Sequence, residues 1–285
     1  MFCADLLACP ICNAVLEQDN SSLKCSNAHS FDISSEGYVN LLRKKLPGDA
    51  KEMLIARRDF LEQGHYQPLS DLINDLVYTH LPVSSSPPAI LDAGCGEGYY
   101  IGRLQQSLLA QNHQANYIGL DVSKDAVRMA ARRYKQVCFV VANIKERLIF
   151  VDEAMQMMLN IFAPRNPAEF ARVLAPGALL LIIIPGSDHL LQLRSALHLL
   201  NIEEDKEQKV IAQFAPFFDF VTSSSLSYPL QFNHKEIVQA VMMTPNYWHL
   251  SPEVHAMVEK MEALETTVSF SGLVFRRRDP LAASV

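Results

Sequence analysis

From residue 89 onward, apolar runs of strand length alternate with stretches of helical length. Ala89-Ile90-Leu91, Asn116 to Asp121, Val137 to Ala142, Met155 to Phe162 and Leu179 to Ile184 supply five strands. The fifth is apolar at every position, as expected of a strand buried on both faces. Helices are predicted from about Gly98, from Lys124 to Tyr134 and from Ala168 to Leu174. This alternation predicts a doubly wound α/β domain. Past the fifth strand, Ser187 to Asn201 is predicted as an amphipathic helix and Glu203 to Gln208 as a mobile, charged connection. Phe217 to Tyr228 reads as a strand, and His234 to Met243 and Pro252 to Ala263 as helices. Thr266 to Phe275 would close the sheet as an antiparallel edge pair.

The first 88 residues have a different texture. Residues 1–46 hold too few apolar positions to fold alone. Phe31 to Leu42, around Gly37, is expected to pack this module against its neighbour. Pro47-Gly48-Asp49 marks a break. A helix starting at Asp49 or Ala50 runs through Glu62 and stops near Gly64, and a second spans Leu69 to Leu81. Pro82 to Pro88 has neither helix nor strand character. The expected division is a small module at 1–46, a helical linker and lid at 47–88, and the large domain at 89–285.

The stretch Leu91 to Tyr100, LDAGCGEGYY, stands where the first strand turns into the first helix. Gly94, Gly96 and Gly98 can adopt positive φ and let a ligand approach bare backbone. The unpaired N–H groups of the new helix would face that ligand. Asp121 ends the second strand about 20 residues on, the usual offset for a carboxylate that binds ribose. Two structural readings stand beside this one. Asp121 could cap the helix beginning near Ser123, and Asp92 could stabilise the turn. The G-x-G-x-G spacing resembles that of S-adenosylmethionine (SAM)-dependent methyltransferases. By that resemblance the glycines, with Glu97 among them, hold the methionine moiety, Asp121 holds the ribose hydroxyls, and Asn143, after the third strand, contacts the adenine. The fold class implied is a Rossmann-like class I SAM-dependent methyltransferase domain behind a small zinc ribbon.

The zinc ribbon rests on four residues. Cys9-Pro-Ile-Cys12 and Cys25-Ser-Asn-Ala-His29 are two short ligand pairs twelve residues apart. Such pairs close a tetrahedral zinc site with no open position, so the metal is expected to be structural. A redox Cys-x-x-Cys pair with an unrelated Cys25 and His29 is the alternative. The six cysteines suggest metal ligands or free thiols rather than a disulfide framework.

The 285 residues, 49% hydrophobic, suffice for one large and one small domain. No run of 18 apolar residues appears, which argues against a membrane span, and no signal peptide is evident, so a cytoplasmic protein is expected. The net charge of −6 announces no bulk attraction to nucleic acid. Arg43-Lys44-Lys45 and Arg276-Arg277-Arg278 are local basic clusters, ordinarily solvated but able to meet phosphate.

The motif order extends the resemblance. Zinc ribbon, EGYVNLL, GDAKEM, ARRDFLEQGHYQPL, LDAGCGEGYY, PGSDHLLQL and MTPNYW together resemble the bacterial 23S ribosomal RNA guanine-N1 methyltransferases. The resemblance implies a zinc module that helps recognise an rRNA hairpin and a domain that methylates one guanine at N1. It also implies SAM contacts from Tyr66 and His189, and a homodimer. The chain departs from the family pattern at Gln156, Asn160 and Phe162. By position at the end of the fourth strand, Asn160, Phe162 and Pro164 are candidate contacts to the target base. Met242-Met243-Thr244-Pro245 and Tyr247-Trp248 could wall the base or fill the core. A small-molecule methyltransferase with a structural zinc module, and a non-catalytic RNA-binding factor, are the rival readings.

Overall fold

The computed structural model describes residues 3–44, 46, 48–81, 86–199, 202–203, 205–243 and 250–279. At its centre lie β5 (Ala89–Ala93), β6 (Asn116–Asp121), β7 (Cys138–Val141), β8 (Met155–Ile161) and β9 (Leu174–Pro185). These five strands run parallel in the order β9-β8-β5-β6-β7. The order reverses at β5, so the crevice above its C-terminal end is the switch point where ligands bind in such sheets. β10 (Phe218–Asn233) and β11 (Ala263–Arg277) form a long hairpin, with β11 antiparallel to β9 and β10 at the edge.

At the opposite edge, β4 (Tyr38–Asn40) pairs parallel with β7. The unit drawn at 1–46 therefore gives a strand to the large sheet, because Val39 is fully buried there. The remainder of that unit is a three-stranded antiparallel sheet of β1 (Leu16–Asp19), β2 (Ser22–Cys25) and β3 (Ser30–Asp32). It docks through main-chain bonds. Ala8 N–H donates to the Ile149 carbonyl at 2.8 Å, and Val151 N–H donates to Leu6 at 3.1 Å.

Helices cover both faces. α1 (Lys51–Glu62) and α2 (Gln67–His80) were expected as a linker but form a layer of the core. Their apolar faces, with Leu54, Phe60, Leu69, Ile73 and Val77 fully buried, leave too little exposed surface for a linker role. α3 (Tyr99–Ala110) and α4 (Lys124–Arg133) share this face. Gly102 lets α3 approach closely, since a Cβ there would lie 2.2 Å from the Tyr134 ring. α5 (Pro167–Val173) and α7 (Lys206–Phe214) lie on the other face, stacked through Phe170 and Phe214 with ring centroids 6.1 Å apart.

Three expectations need correction. The helix predicted over Ser187 to Asn201 is shorter, α6 (Leu191–Ala196). The charged connection at 203–208 instead opens α7, with Lys209 bonded to Glu203 and Asp205. The cysteines are also not all ligands or free thiols, because Cys3 forms a disulfide with Cys138 across the start of β7. α8 (His234–Met242) and α9 (Pro252–Lys260) follow the predicted positions. None of the described helices is long and apolar enough to cross a membrane.

Candidate functional site

β5 ends at Ala93 and the chain turns through Gly94 (φ +96°), Gly96 (φ +55°) and Gly98 (φ +83°) into α3. Gly94 is held by close approach as well as by φ, since a Cβ there would lie 2.4 Å from the Ala163 Cβ. Gly94 and Cys95 N–H both donate to the Leu120 carbonyl, which ties this turn to the end of β6. Asp121 stands at that end. Its Oδ2 accepts from Gly96 N–H at 3.0 Å, and its Oδ1 accepts from Ser123 N–H at 2.8 Å. Asp121 thus braces the turn into α4 and borders the crevice, while the cap of that helix is Ser123, whose hydroxyl accepts from Ala126 N–H.

Three carboxylates meet here. Asp92 is 1% exposed, and neither of its oxygens has a hydrogen-bond partner among the described residues. Burial, with Asp121 and Glu97 adding repulsion, pushes its pKa up to about 8. Burial also raises Glu97 and Asp121, against the pull of Arg57. Arg57 reaches in from α1 and bonds Asp49 at 2.6 Å. Its guanidinium would lie 3.8 Å from a Cβ at Gly96. Gly48, just upstream, packs against Ser123 so tightly that a Cβ would meet it at 2.8 Å. The segment from 48 to 57 thus covers the acidic crevice. The glycine motif pointed to the crevice, but the sequence carried no signal for Arg57.

A buried carboxylate without partners is costly unless a cation or donor completes it. SAM carries a sulfonium and an α-ammonium, and it has a ribose diol for Asp121. The buried carboxylates and the bare glycine turn therefore fit SAM. Asn143 follows β7, but its side-chain amide donates to Glu146 at 2.9 Å and its oxygen accepts from Lys145 N–H. Its side chain closes a turn, so any adenine contact at this position falls to backbone.

Across the same edge, β8 and β9 run side by side, Ile161 next to Ile183. Asn160, expected as a base contact, is 1% exposed, and its amide donates to the Ala93 and Pro164 carbonyls at 3.0 Å each. That expectation is corrected, because Asn160 clamps the turn to β5 instead of facing the crevice. Phe162, by contrast, has φ +53° and is 44% exposed. Pro164 is exposed beside it. The Phe162 ring lies 5.8 Å from Phe270, which in turn touches His189 (4.8 Å) and Tyr66 (5.0 Å) between centroids. Tyr66 and His189, 123 residues apart, are bonded at 3.2 Å. His189 Nδ1 accepts from Ser269 N–H, so Nε2 carries the hydrogen and donates to the Tyr66 oxygen. Burial, then Arg194, lowers the His189 pKa to about 3, and burial raises Tyr66. The imidazole is neutral, and the Tyr66 hydroxyl keeps a proton to donate.

In the N-terminal module, Cys9, Cys12, Cys25 and His29 place their ligand atoms within 4.8 Å of one another. Cys12 Sγ and Cys25 Sγ are 3.7 Å apart, and His29 Nδ1 lies 3.5 Å from Cys9 Sγ and 3.4 Å from Cys25 Sγ. Zn–S bonds of ~2.3 Å on a tetrahedron give S···S edges of about 3.8 Å. The set fits zinc, with His29 offering Nδ1. Asn13 (φ +62°) and Ala28 (φ +62°) make the two knuckle turns. Arg276, Arg277 and Arg278 lie away from the crevice. Arg276 sits opposite Leu179, at the beginning of the parallel run of β9, and Arg277 and Arg278 pair with Glu153 and Asp219. Thr244-Pro245 and Tyr247-Trp248 lie outside the described residues.

Comparison with known proteins matches both the N-terminal module and the large domain. Residues 7–51 match the family model described as "RlmA, N-terminal", and residues 90–177 match "Methyltransferase domain". A Streptomyces fradiae protein named 23S rRNA (guanine(748)-N(1))-methyltransferase is 38% identical over 249 residues, 87% of each chain. A Micromonospora griseorubida protein, provisionally named a 23S rRNA (guanine-N(1)-)-methyltransferase, is 33% identical over 94% of this chain and 95% of its own. Among solved structures, the YcgJ protein from Bacillus subtilis superposes with a TM-score of 0.52 at 14% identity, over 74% of this chain and 98% of its own. That likeness concerns the fold alone.

Proposed function

This chain belongs to the 23S rRNA (guanine-N1)-methyltransferase family, and on that footing we propose that it transfers the methyl group of SAM to N1 of one guanine in a hairpin loop of 23S rRNA. The observation that carries the reading is the buried Asp92 carboxylate at the end of β5, without a hydrogen-bond partner among the described residues, with the exposed Phe162 ring on the same sheet edge. The first suits a cationic donor and the second a flat base.

SAM supplies an already activated methyl group on a sulfonium. The task left to the chain is alignment. In this reading the backbone of Gly94, Gly96 and Gly98 approaches the methionine end, Asp121 takes the ribose hydroxyls, and Tyr66, oriented by His189, donates a hydrogen bond from its hydroxyl to the cofactor. The guanine must be unpaired, because N1 lies on the Watson–Crick edge, and Phe162 with Pro164 would stack it. Guanine N1 also loses a proton. His189 is not suited to accept it, since both ring nitrogens are engaged and its pKa is held near about 3. Its part is to orient Tyr66.

Zinc, held by Cys9, Cys12, Cys25 and His29, has a structural role here, and the module it closes would grip the hairpin. The same reading includes a cytoplasmic location, where ribosomes are made, and a homodimer whose paired clefts would hold RNA. Labelled SAM incubated with undermodified 23S rRNA, with free guanosine and with no acceptor tests it. Label should enter the rRNA alone. Label in guanosine, or in none of the three, would refute the proposal.

A further inference from the structure

Most arginines of this chain already have acceptors. Arg57, Arg103 and Arg172 pair with carboxylates, and Arg194 donates to the Ser187 and His189 carbonyls. Arg165 differs. It is half-buried, and no hydrogen bond or ion pair reaches it from the described residues. Burial alone perturbs it, lowering its pKa.

Its position is informative. Arg165 follows Phe162-Ala163-Pro164 directly, where Ala163 packs on Gly94. β8 and β9 are parallel neighbours, so residues 162–166 and 186–190 leave the sheet at one edge. α7 leads into β10 and stacks through Phe214 on Phe170 of α5, the helix that begins two residues after Arg165. Lys206 is the first residue of α7, also half-buried. The positive charge of Arg165 lowers the Lys206 pKa, and that of Lys206 in turn lowers the His189 pKa. The acid facing Lys206 is Glu203, which already bonds Lys209 at 2.8 Å. Two cations thus repel each other in a half-buried place beside the exposed aromatic ring. An anion between them would offset both penalties, and a guanidinium next to an ammonium suits a phosphate.

We propose that Arg165 and Lys206 form a phosphate fork for the RNA backbone, gripping the strand next to the guanine stacked on Phe162. The proposal rests on the RNA-methylating reading above. It accounts for how a chain of net charge −6 draws a polyanion to one edge. The fork supplies attraction locally, where the base must enter. It also fixes the strand's register while Phe162 takes the base, the usual division between backbone and base contacts.

Full-length, zinc-loaded Arg165→Gln, Lys206→Gln and the double variant test this. RNA affinity is measured across a salt series, with KM and kcat for rRNA and, separately, Kd for SAM. The expected result for the double variant is a KM for rRNA roughly tenfold higher. The slope of log affinity against log salt should be shallower by about one unit or more. The SAM Kd and the kcat at saturating RNA should stay near those of the parent. An unchanged RNA slope and KM, with the parent methylating rRNA, would overturn the fork and leave the RNA reading standing. A raised SAM Kd with an unchanged salt slope would also overturn it, assigning the pair to the cofactor's carboxylate. If the parent itself fails to methylate rRNA, fork and reading fall together, and the parent's own assay tells this case from the other two.

Discussion

Asp92 shows how a single side chain can be poor for stability and good for binding. Its pKa is about 8 in the folded chain against an ordinary 3.8. A carboxyl raised on folding contributes stability that is whole below the unfolded value and lost as pH rises toward the folded one. Without SAM, the protein should therefore weaken between about pH 4 and about pH 8, with Glu97 and Asp121 adding in the same direction. Asp92→Asn removes one of these titrations. Urea melts at the two ends of that window should show a smaller loss in the variant. Calorimetry should show its SAM affinity lower by roughly tenfold or more, as for a lost charged hydrogen bond. Equal pH slopes and equal affinities would show that Asp92 does not face the cofactor. The sequence marked Asp92 as a turn residue and no more, because only packing reveals that its oxygens lack partners. Asn160 misled in the opposite direction. Its place at a strand end suggested a ligand contact, yet its amide is consumed by Ala93 and Pro164.

At the scale of elements, legibility followed locality. The glycine turn, the five parallel strands and the zinc knuckles are written in short spacings, and each appears where expected. Arg57 beside Gly96 and the Tyr66–His189 pair join parts of the chain far apart in sequence, so no local pattern announces them. The same holds for β4, whose three residues read as part of the zinc module until β7 is seen beside them. The Cys3–Cys138 disulfide spans 135 residues and was equally invisible. The zinc module has a consequence of its own. Its three short strands bury few side chains outside Leu16, Leu23 and the ligands, so the metal should supply much of its folding energy. Purified protein never exposed to chelator should contain about one zinc per chain. Chelation should then open the segment from Cys9 to His29 to protease before the rest of the chain. Metal content near zero, with that segment resistant, would contradict a structural zinc.

For the whole molecule, a net charge of −6 and an RNA substrate are compatible if attraction is local and the remaining surface is neutralised by its own ion pairs. The arrangement supports this. The Arg277 and Arg278 side chains are paired, away from the crevice, and Arg165, with no hydrogen-bond or ion-pair partner among the described residues, follows β8 at its C-terminal end. In the proposed function the sheet divides its labour, with methyl donor above β5 and β6 and acceptor above β8 and β9. Donor and acceptor meet at N1 of a guanine, on the edge that a reverse transcriptase must read. Undermodified 23S rRNA treated with the protein and SAM should therefore stop reverse transcription one nucleotide before a single guanine, and rRNA treated without SAM should not. Full read-through of the treated rRNA, or stops at many guanines, would contradict the account.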